Sequence, residues 1–420
     1  MKGRTEAGEG NPAPARGPDP LPGGIWALGL TSLLMDTSSE LVHSLLPVLL
    51  TTVLGVGMVA IGFIEGLAES IAAVTRVFSG ALSDHWRRRK PLVVLGYGLA
   101  ALTKPVFPLA ASIGWVAAAR FIDRVGKGIR GAPRDALIAD LVPAASHGAA
   151  FGLRQALDSA GAFAGPALAL LFMGVLAGDI RAVLWVATVP AFASVLLLVL
   201  FVREPERAPA AGASPGARAR ISWRAALTLQ RRFWLVVALA MVFTLARFSE
   251  AFLVLRALHA GLTPAWVPVV LIVMNVVYAA AAFPAGRWSD RLDPRALLLA
   301  GLVVLIVADL VLAFAPSVTL VLAGSALWGL HMALTQGLFA KLVADEAPAD
   351  LRGTAFGVFH LGTALSLLLA SVIAGGLWSS AGPTATFLAG AGFAIVAALG
   401  LVVPAIRSAA GRVLRNRDRR

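Results

Sequence analysis

Residues 139–152 read ADLVPAASHGAAFG, and residues 344–357 read ADEAPADLRGTAFG. Every identical pair between them, from Ala139/Ala344 through Pro143/Pro348 to Gly152/Gly357, is displaced by 205 residues. Upstream, Gly80 and Ser83-Asp84 recur as Gly286 and Ser289-Asp290, displaced by 206. Such a repeat at half the length of a 420-residue chain predicts two related halves in the same orientation. In a membrane this places a pseudo-two-fold axis along the normal and a site between the halves.

The chain around the repeat is apolar. Hydrophobic residues make up 58% and charged residues 14%, against roughly 45–50% and about 25% in soluble domains. Mean hydropathy is +0.81. This composition excludes a soluble enzyme, a disordered chain and a secreted disulfide scaffold. The absence of cysteine removes disulfides, thiolate metal sites and cysteine nucleophiles. Apolar stretches recur at 25–54, 58–82, 91–111, 115–141, 149–176 and 182–202, then at 233–257, 266–288, 296–315, 317–344, 353–378 and 384–406. Each approaches the roughly 20 residues a crossing helix requires. The expected fold is an all-α membrane protein with twelve transmembrane helices in two pseudo-symmetric six-helix bundles, 25–202 and 233–406.

Polar, Gly/Pro-rich residues 1–24 read as a disordered cytoplasmic tail, 203–232 as a flexible basic cytoplasmic linker, and 407–420 as a basic cytoplasmic tail. The net charge of +13 would suggest nucleic acid in a soluble protein. Here the basic residues collect in alternate loops: Arg87 to Lys90, the linker, Arg287 to Arg295 and the C-terminal tail. The opposite turns are nearly uncharged, with Arg181 the clearest exception. The positive-inside rule then puts both termini and the linker in the cytoplasm of a cell whose inner membrane holds the protein.

Three motifs connect the chain to a known family. The loop Gly80-Ala81-Leu82-Ser83-Asp84-His85-Trp86-Arg87-Arg88-Arg89-Lys90 resembles the signature loop G-x-x-x-D-(R/K)-x-G-R-(R/K) of the major facilitator superfamily. Arg120-Phe121-Ile122-Asp123-Arg124-Val125-Gly126 is similar to that family's R-x-x-Q-G-x-G motif, with Asp123 and Arg124 in place of Gln and Gly. Gly161-Ala162-Phe163-Ala164-Gly165-Pro166 resembles the antiporter motif G-x-x-x-G-P, and the first span, Asp36 through Pro47, resembles a bacterial subfamily. The resemblance implies a secondary transporter working by alternating access, proton coupling through Arg120, export over import, and a monomer. It also implies that Gly80, Asp84, Arg88 and Arg89 form a cytoplasmic ion-pair gate between the halves.

Ionisable residues on the spans carry the chemical reading, because a charge at mid-bilayer costs about 2.5–3.5 kcal/mol on insertion scales. Asp36, Glu40 and His43 lie at i, i+4 and i+7, one stripe of a helix. Such a stripe faces a wet cavity or a partner helix. In the first case at least one of Asp36 and Glu40 exchanges a proton as the cavity opens and closes. In the second, Asp36 or Glu40 neutralises Arg120 and Arg124. Glu65, Glu69 and Arg76 share a face of the second span, as an ion pair, a gate or a proton site. Arg120, Asp123, Arg124 and Lys127 form the densest charge set, continued by Arg130 and Arg134, and Arg120 and Asp123 join Asp36 and Glu40 as candidates for proton coupling. Lining a cavity, they favour an anionic or zwitterionic substrate. Arg154 and Asp158 make an i, i+4 pair, and Arg247, Glu250 and Asp309 are the candidates in the second half. Trp115, Trp185 and Trp378 near span ends read as interfacial anchors.

The resulting expectation is a proton-coupled exporter whose partners are a small molecule (drug-like, or an organic anion or zwitterion), protons and the lipid bilayer, with no nucleic acid, no cofactor and no metal. An importer or uncoupled facilitator of the same fold, and a non-transporting sensor or scaffold, are the alternatives. An ATP site is not expected, since Gly126-Lys127-Gly128 lacks the rest of a P-loop. Nor is an enzyme: H-E-x-x-H is missing, and Gly212-Ala213-Ser214-Pro215-Gly216 lies in a Pro-rich linker without the strained turn of a nucleophile elbow.

Overall fold

The computed structural model describes residues 21–86, 88–143, 146–204, 229–289, 293–335, 338–346 and 351–417. Every regular element among them is helical, as hydrocarbon requires of a chain that must satisfy its backbone internally. The first half of the chain holds α1 (Gly23–Val48, ending in a π turn at Leu49–Val53), α2 (Met58–Trp86), α3 (Lys90–Thr103), α4 (Val106–Leu109), α5 (Ile113–Leu141), α6 (His147–Val175), α7 (Ile180–Val186) and α8 (Thr188–Phe201). The second half holds α9 (Arg231–Leu245), α10 (Ala251–His259), α11 (Pro268–Ser289), α12 (Pro294–Phe314), α13 (Val318–Thr335), α14 (Leu338–Glu346) and α15 (Arg352–Arg417). The predicted tail 1–24 and linker 203–232 fall largely outside the described residues, and the helical backbone of α15 runs on to Arg417 through much of the predicted C-terminal tail.

Among the described residues, nine helical stretches are long and apolar enough to cross a membrane. The difference from the twelve expected falls at three places. α5 is too charged to qualify. The predicted span 233–257 is broken between α9 and α10. The stretch Ala355–Val402 covers two predicted spans without interruption, although Gly382 (φ 82°, ψ 179°) divides α15 into two helical arms. That left-handed φ suits glycine, which has no Cβ to clash.

Within the first half α1 packs on α6 and α8, and α5 packs on α2 and α3; within the second, α13 packs on α11 and α12, and α15 on α9 and α12. The halves meet where α2 lies against α15 and α6 against α11. Close approach at the first seam depends on Gly66, where an added Cβ would sit 2.9 Å from Ser371 Cβ and 3.0 Å from Leu368 Cα. Ser70 Oγ donates across the same seam to Ala364 O at 2.6 Å.

Three apolar clusters shape the interior. The largest joins both halves, and the first half contributes to it from one end only, including Leu41 to Leu50, Phe107, Ala110 and Ile180 to Ala187. Ile25, Leu28, Met35, Tyr97 and Leu137, at the other end of the first half, form a separate cluster. Phe233, Val237, Val343 and Phe359 form another in the second. The halves are therefore fused by hydrophobic burial at one end and left with separate cores at the other, with polar cavities between. Trp378 corrects a prediction: it is buried against Phe252 and Phe387, whereas Trp115 and Trp185 are exposed as expected of anchors.

Candidate functional site

α5 carries the charge set along a helix turning about 100° per residue, so its charges point toward different neighbours. Arg120 faces α2: its Nη2 lies 2.7 Å from Glu65 Oε2 and 3.7 Å from Glu69 Oε1. Arg124 donates to Glu69 Oε1 at 2.9 Å and to Asp123 Oδ2 at 2.8 Å. Asp123 turns toward the break between α3 and α4, where Lys104 Nζ donates to its Oδ1 at 2.8 Å and to Ser39 Oγ at 3.0 Å. Lys104, Arg120, Asp123 and Arg124 are all at most 3% exposed. Further along, Arg130 stacks over the Tyr97 ring at 4.5 Å and lies 3.7 Å from Asp36 Oδ1. Arg134 donates to Ser32 Oγ at 2.6 Å and lies 4.0 Å from Asp158 Oδ2.

These pairings correct one sequence alternative. Arg120 and Arg124 are neutralised by Glu65 and Glu69 of α2, together with Asp123, and not by Asp36 or Glu40. The physical reason is the packing of α5 directly on α2. Asp123 is enclosed between two cations on the α3 side, away from the cavities.

The α1 stripe does reach open space. Glu40 and His43 line a cavity of about 290 Å³ with Glu65, Glu69, Arg124 and Lys127 from the first half and Arg247, Glu250 and Ser371 from the second. His43 Nδ1 is 3.3 Å from Glu40 Oε2, and Nε2 is 3.7 Å from Glu65 Oε2, so the imidazole connects a cavity carboxylate to the buried partner of Arg120. A second cavity of about 250 Å³ runs past Glu69, Arg76, Thr244 and Thr363. A third, of about 400 Å³, holds Asp36, Glu40, Arg76, Arg130, Arg154 and Asp158. Lys127 lines all three. Among the described residues it makes no ion pair within 4.0 Å, and neither do Arg76, Arg247 or Glu250. Arg154 Nη1 meets Asp158 Oδ2 at 3.3 Å, the predicted i, i+4 pair, and Asp135 Oδ1 at the same distance.

Arg247 and Glu250 reach the cavity because the helix stops between α9 and α10. Serines take over the freed backbone groups: Ser249 N donates to Ser371 Oγ at 3.2 Å, and Ala251 N to Ser249 Oγ at 3.3 Å. Non-helical backbone at membrane depth is tolerated where it lines such a cavity.

The motif glycines set the α1–α6 contact. An added Cβ at Gly165 would lie 2.6 Å from Thr37 O and 2.7 Å from Glu40 Cβ; one at Gly161 would lie 2.7 Å from Leu33 O and 3.0 Å from Asp36 Cβ. Glu40 and Asp36 are thus held by the backbone of α6. Pro166 sits in the next turn, and Asn275 Nδ2 of α11 donates to Ala162 O at 3.2 Å across the halves. In the predicted gate, a Cβ added at Gly80 would lie 3.3 Å from Ala132 Cβ, and Arg88 is exposed. Arg89 Nη1 meets Asp140 Oδ2 at 2.9 Å, inside the first half, and its backbone N–H donates to Glu204. The Asp84 side chain lies outside the described residues. Lys104 was not singled out from the sequence, although a lone lysine before Pro105 in an apolar stretch is itself a signal.

The sequence profile of the Major Facilitator Superfamily matches residues 28–277 and 251–419. An uncharacterised MFS-type transporter of Methanocaldococcus jannaschii is 35% identical, covering 89% of this chain and 93% of its own length. Multidrug resistance protein MdtH of Photorhabdus laumondii is 27% identical over 81% of this chain and 83% of its own. The crystal structure of nucleoside transporter NupG superposes with a TM-score of 0.74 over 90% of this chain and 99% of its own, at 14% identity, a likeness of fold. A duplicated chain, membrane-spanning helices and a charged cavity between its halves agree with these matches: the chain belongs to the Major Facilitator Superfamily of multi-pass membrane transporters of small molecules.

Proposed function

We propose that the protein is a proton-coupled secondary transporter that exports a small organic molecule, drug-like or an organic anion or zwitterion, by antiport. In this reading twelve helices form two six-helix bundles in the inner membrane, with both termini cytoplasmic, acting as a monomer. The observation that carries it is the cavity of about 290 Å³ whose wall is drawn from both halves and holds Glu40, His43, Lys127, Arg247 and Glu250. Lys127, Arg247 and Glu250, which face this space with no ion pair among the described residues, suit a substrate bearing both signs, or an anion accompanied by proton release.

Proton exchange is assigned to the α1 stripe. Glu40 touches the cavity and His43 joins it to Glu65, so a proton gained or lost at Glu40 changes how firmly Glu65 holds Arg120. The shared apolar core at one end and separate cores at the other suit a state open toward the cytoplasm. Low-identity likeness to a multidrug resistance protein supports the export direction.

The test uses proteoliposomes with an imposed pH gradient and a panel of drugs, organic anions and zwitterions. Substrate-dependent proton movement is expected, and Asp36→Asn with Glu40→Gln abolishes the response to the gradient. An unchanged response in that double variant removes the assignment of coupling to the stripe. If no compound moves protons through the unmodified protein, coupling itself is removed.

A further inference from the structure

Among the described residues, the one buried carboxylate with neither oxygen partnered lies outside this network. Asp309, on α12, is fully buried, and neither Oδ1 nor Oδ2 has a hydrogen-bond partner among the described residues. Its Oδ2 lies over Gly390 of α15, where an added Cβ would be 2.6 Å away; the same Cβ would be 3.1 Å from Phe248 Cε1. Among the described residues, no charged or titratable group on the surrounding elements pairs with it. Arg256 of α10 donates to Leu312 O at 2.8 Å and Ala315 O at 2.6 Å. His331 of α13 is bonded through Nδ1 to Gly301 O at 2.8 Å. Arg247 and Glu250 line the central cavity. A carboxyl surrounded by carbon holds either a cation or a proton, and a metal ion needs several oxygen ligands that this place does not offer.

Phe248 links this carboxyl to transport. It belongs to the non-helical segment between α9 and α10, flanked by cavity-lining Arg247 and Glu250, and packs on Trp328, Phe252 and Phe387 with ring centroids 5.3, 5.5 and 5.4 Å away. A gap of about 10 Å³ borders Phe248, Thr386 and Gly390, near the smallest space that admits one water. We propose that Asp309 is a second proton-carrying site, and that gaining or losing its proton moves the broken segment through Phe248 and so repositions Arg247 and Glu250. The inference rests on the proton-coupled reading but names a site apart from the α1 stripe.

Two measurements on the full chain test it, neither needing the transported compound. Infrared difference spectra across pH, taken with carbon-13 labelling of aspartate carboxyls, are expected to show a protonated buried aspartate that is missing in Asp309→Asn. Because the label acts in the unmodified protein, this arm survives a variant that fails to insert. The second exploits the lack of native cysteine: Ser249→Cys reports access to the broken segment through its rate of alkylation by N-ethylmaleimide. Its pH response is expected to differ about tenfold between the Asp309 and Asp309→Asn backgrounds, within the ordinary range of coupling between sites. No protonated aspartate in the labelled protein overturns the proposal. Equal alkylation profiles in the two backgrounds overturn the link to the cavity. Proton flux in unmodified proteoliposomes is read separately, so its absence would sink the coupling reading without being mistaken for either result.

Discussion

The two halves bury charge in opposite ways. In the first, Lys104, Arg120, Asp123 and Arg124 lie at most 3% exposed, and each has a counter-ion within 3.0 Å. In the second, Arg256 is held by carbonyl oxygens, and Asp309 and the Nε2 atom of His331 have no partner among the described residues. Ion pairs in a low-dielectric interior repay little of their desolvation cost, but they fix geometry, because a displaced partner leaves an uncompensated charge. The first half is therefore built as a stiff template for Glu40 and His43. The second, with a broken helix, serine-satisfied backbone and lone polar groups, has fewer interactions that must break when it shifts.

The largest expected effect tests that difference directly. Asp123→Ala strips Lys104 of its acid and Arg124 of one of two, and should destabilise the protein by about 3–5 kcal/mol, read as a lowered unfolding temperature in detergent. Adding Lys104→Met should recover much of the loss, since an apolar replacement removes the stranded charge. Asp309→Asn removes a carboxyl that nothing answers and should leave the unfolding temperature equal or raised. If both aspartates cost the same, the contrast between the halves has no energetic content.

Next in size is the seam behind the α1 stripe. Gly165→Ala places a methyl group against Thr37 O and Glu40 Cβ, and overpacking of this kind costs about 1–3 kcal/mol. It should also push Glu40 from His43, so proton-coupled flux should fall further than thermal stability does. Gly178, a half-buried turn glycine with φ 80° and nothing near its Cβ position, is the control: Ala there strains only the local turn and leaves coupling intact.

Lys127 sharpens the comparison from the functional side. It lines all three cavities and has no ion pair among the described residues, so Lys127→Met should leave the unfolding temperature nearly unchanged. Transport of an anionic or zwitterionic substrate should need about tenfold more substrate, equivalent to about 1.4 kcal/mol of binding. A cationic substrate should be unaffected or transported better. Loss of stability comparable to that of Asp123→Ala would instead place Lys127 in the structural network.

Much of this contrast was legible in the sequence, and the rest failed for identifiable reasons. Periodicity placed Asp36, Glu40 and His43 on one stripe, and the 205-residue displacement revealed the duplication. Spacing along one helix gives a face but not the neighbour it meets. From the sequence Arg120 and Arg124 therefore read against α1 or a cavity, and only packing assigns them to Glu65 and Glu69 of α2. Lys104 finds its partner on another helix, 19 residues away. The break at Ala246 to Glu250 carries neither Pro nor Gly; what permits it is Ser371, a residue 122 positions distant. Trp378 resembled an anchor because its place near a span end was visible and the aromatic cluster burying it was not.

The smallest effects test a place where the halves solve one problem from different helices. Ala110 and Ala315, displaced by the same 205 residues, each end a helix whose last carbonyls lack intrahelical donors. Arg181 of α7 donates to Pro108 O at 3.1 Å and Ala110 O at 2.9 Å, which accounts for the one basic residue that stood out among the uncharged turns. In the second half Arg256 of α10 takes that role at Leu312 and Ala315. Arg256 is 6% exposed, so Arg256→Met strands its carbonyls and should cost about 1.5 kcal/mol, whereas water can replace the half-buried Arg181 and Arg181→Met should cost about 0.5 kcal/mol. The unfolding temperatures of the two variants rank them. Equal costs would mean that burial does not set the value of the clamp, and that at this end the two halves remain energetically equivalent despite drawing their arginines from unrelated positions.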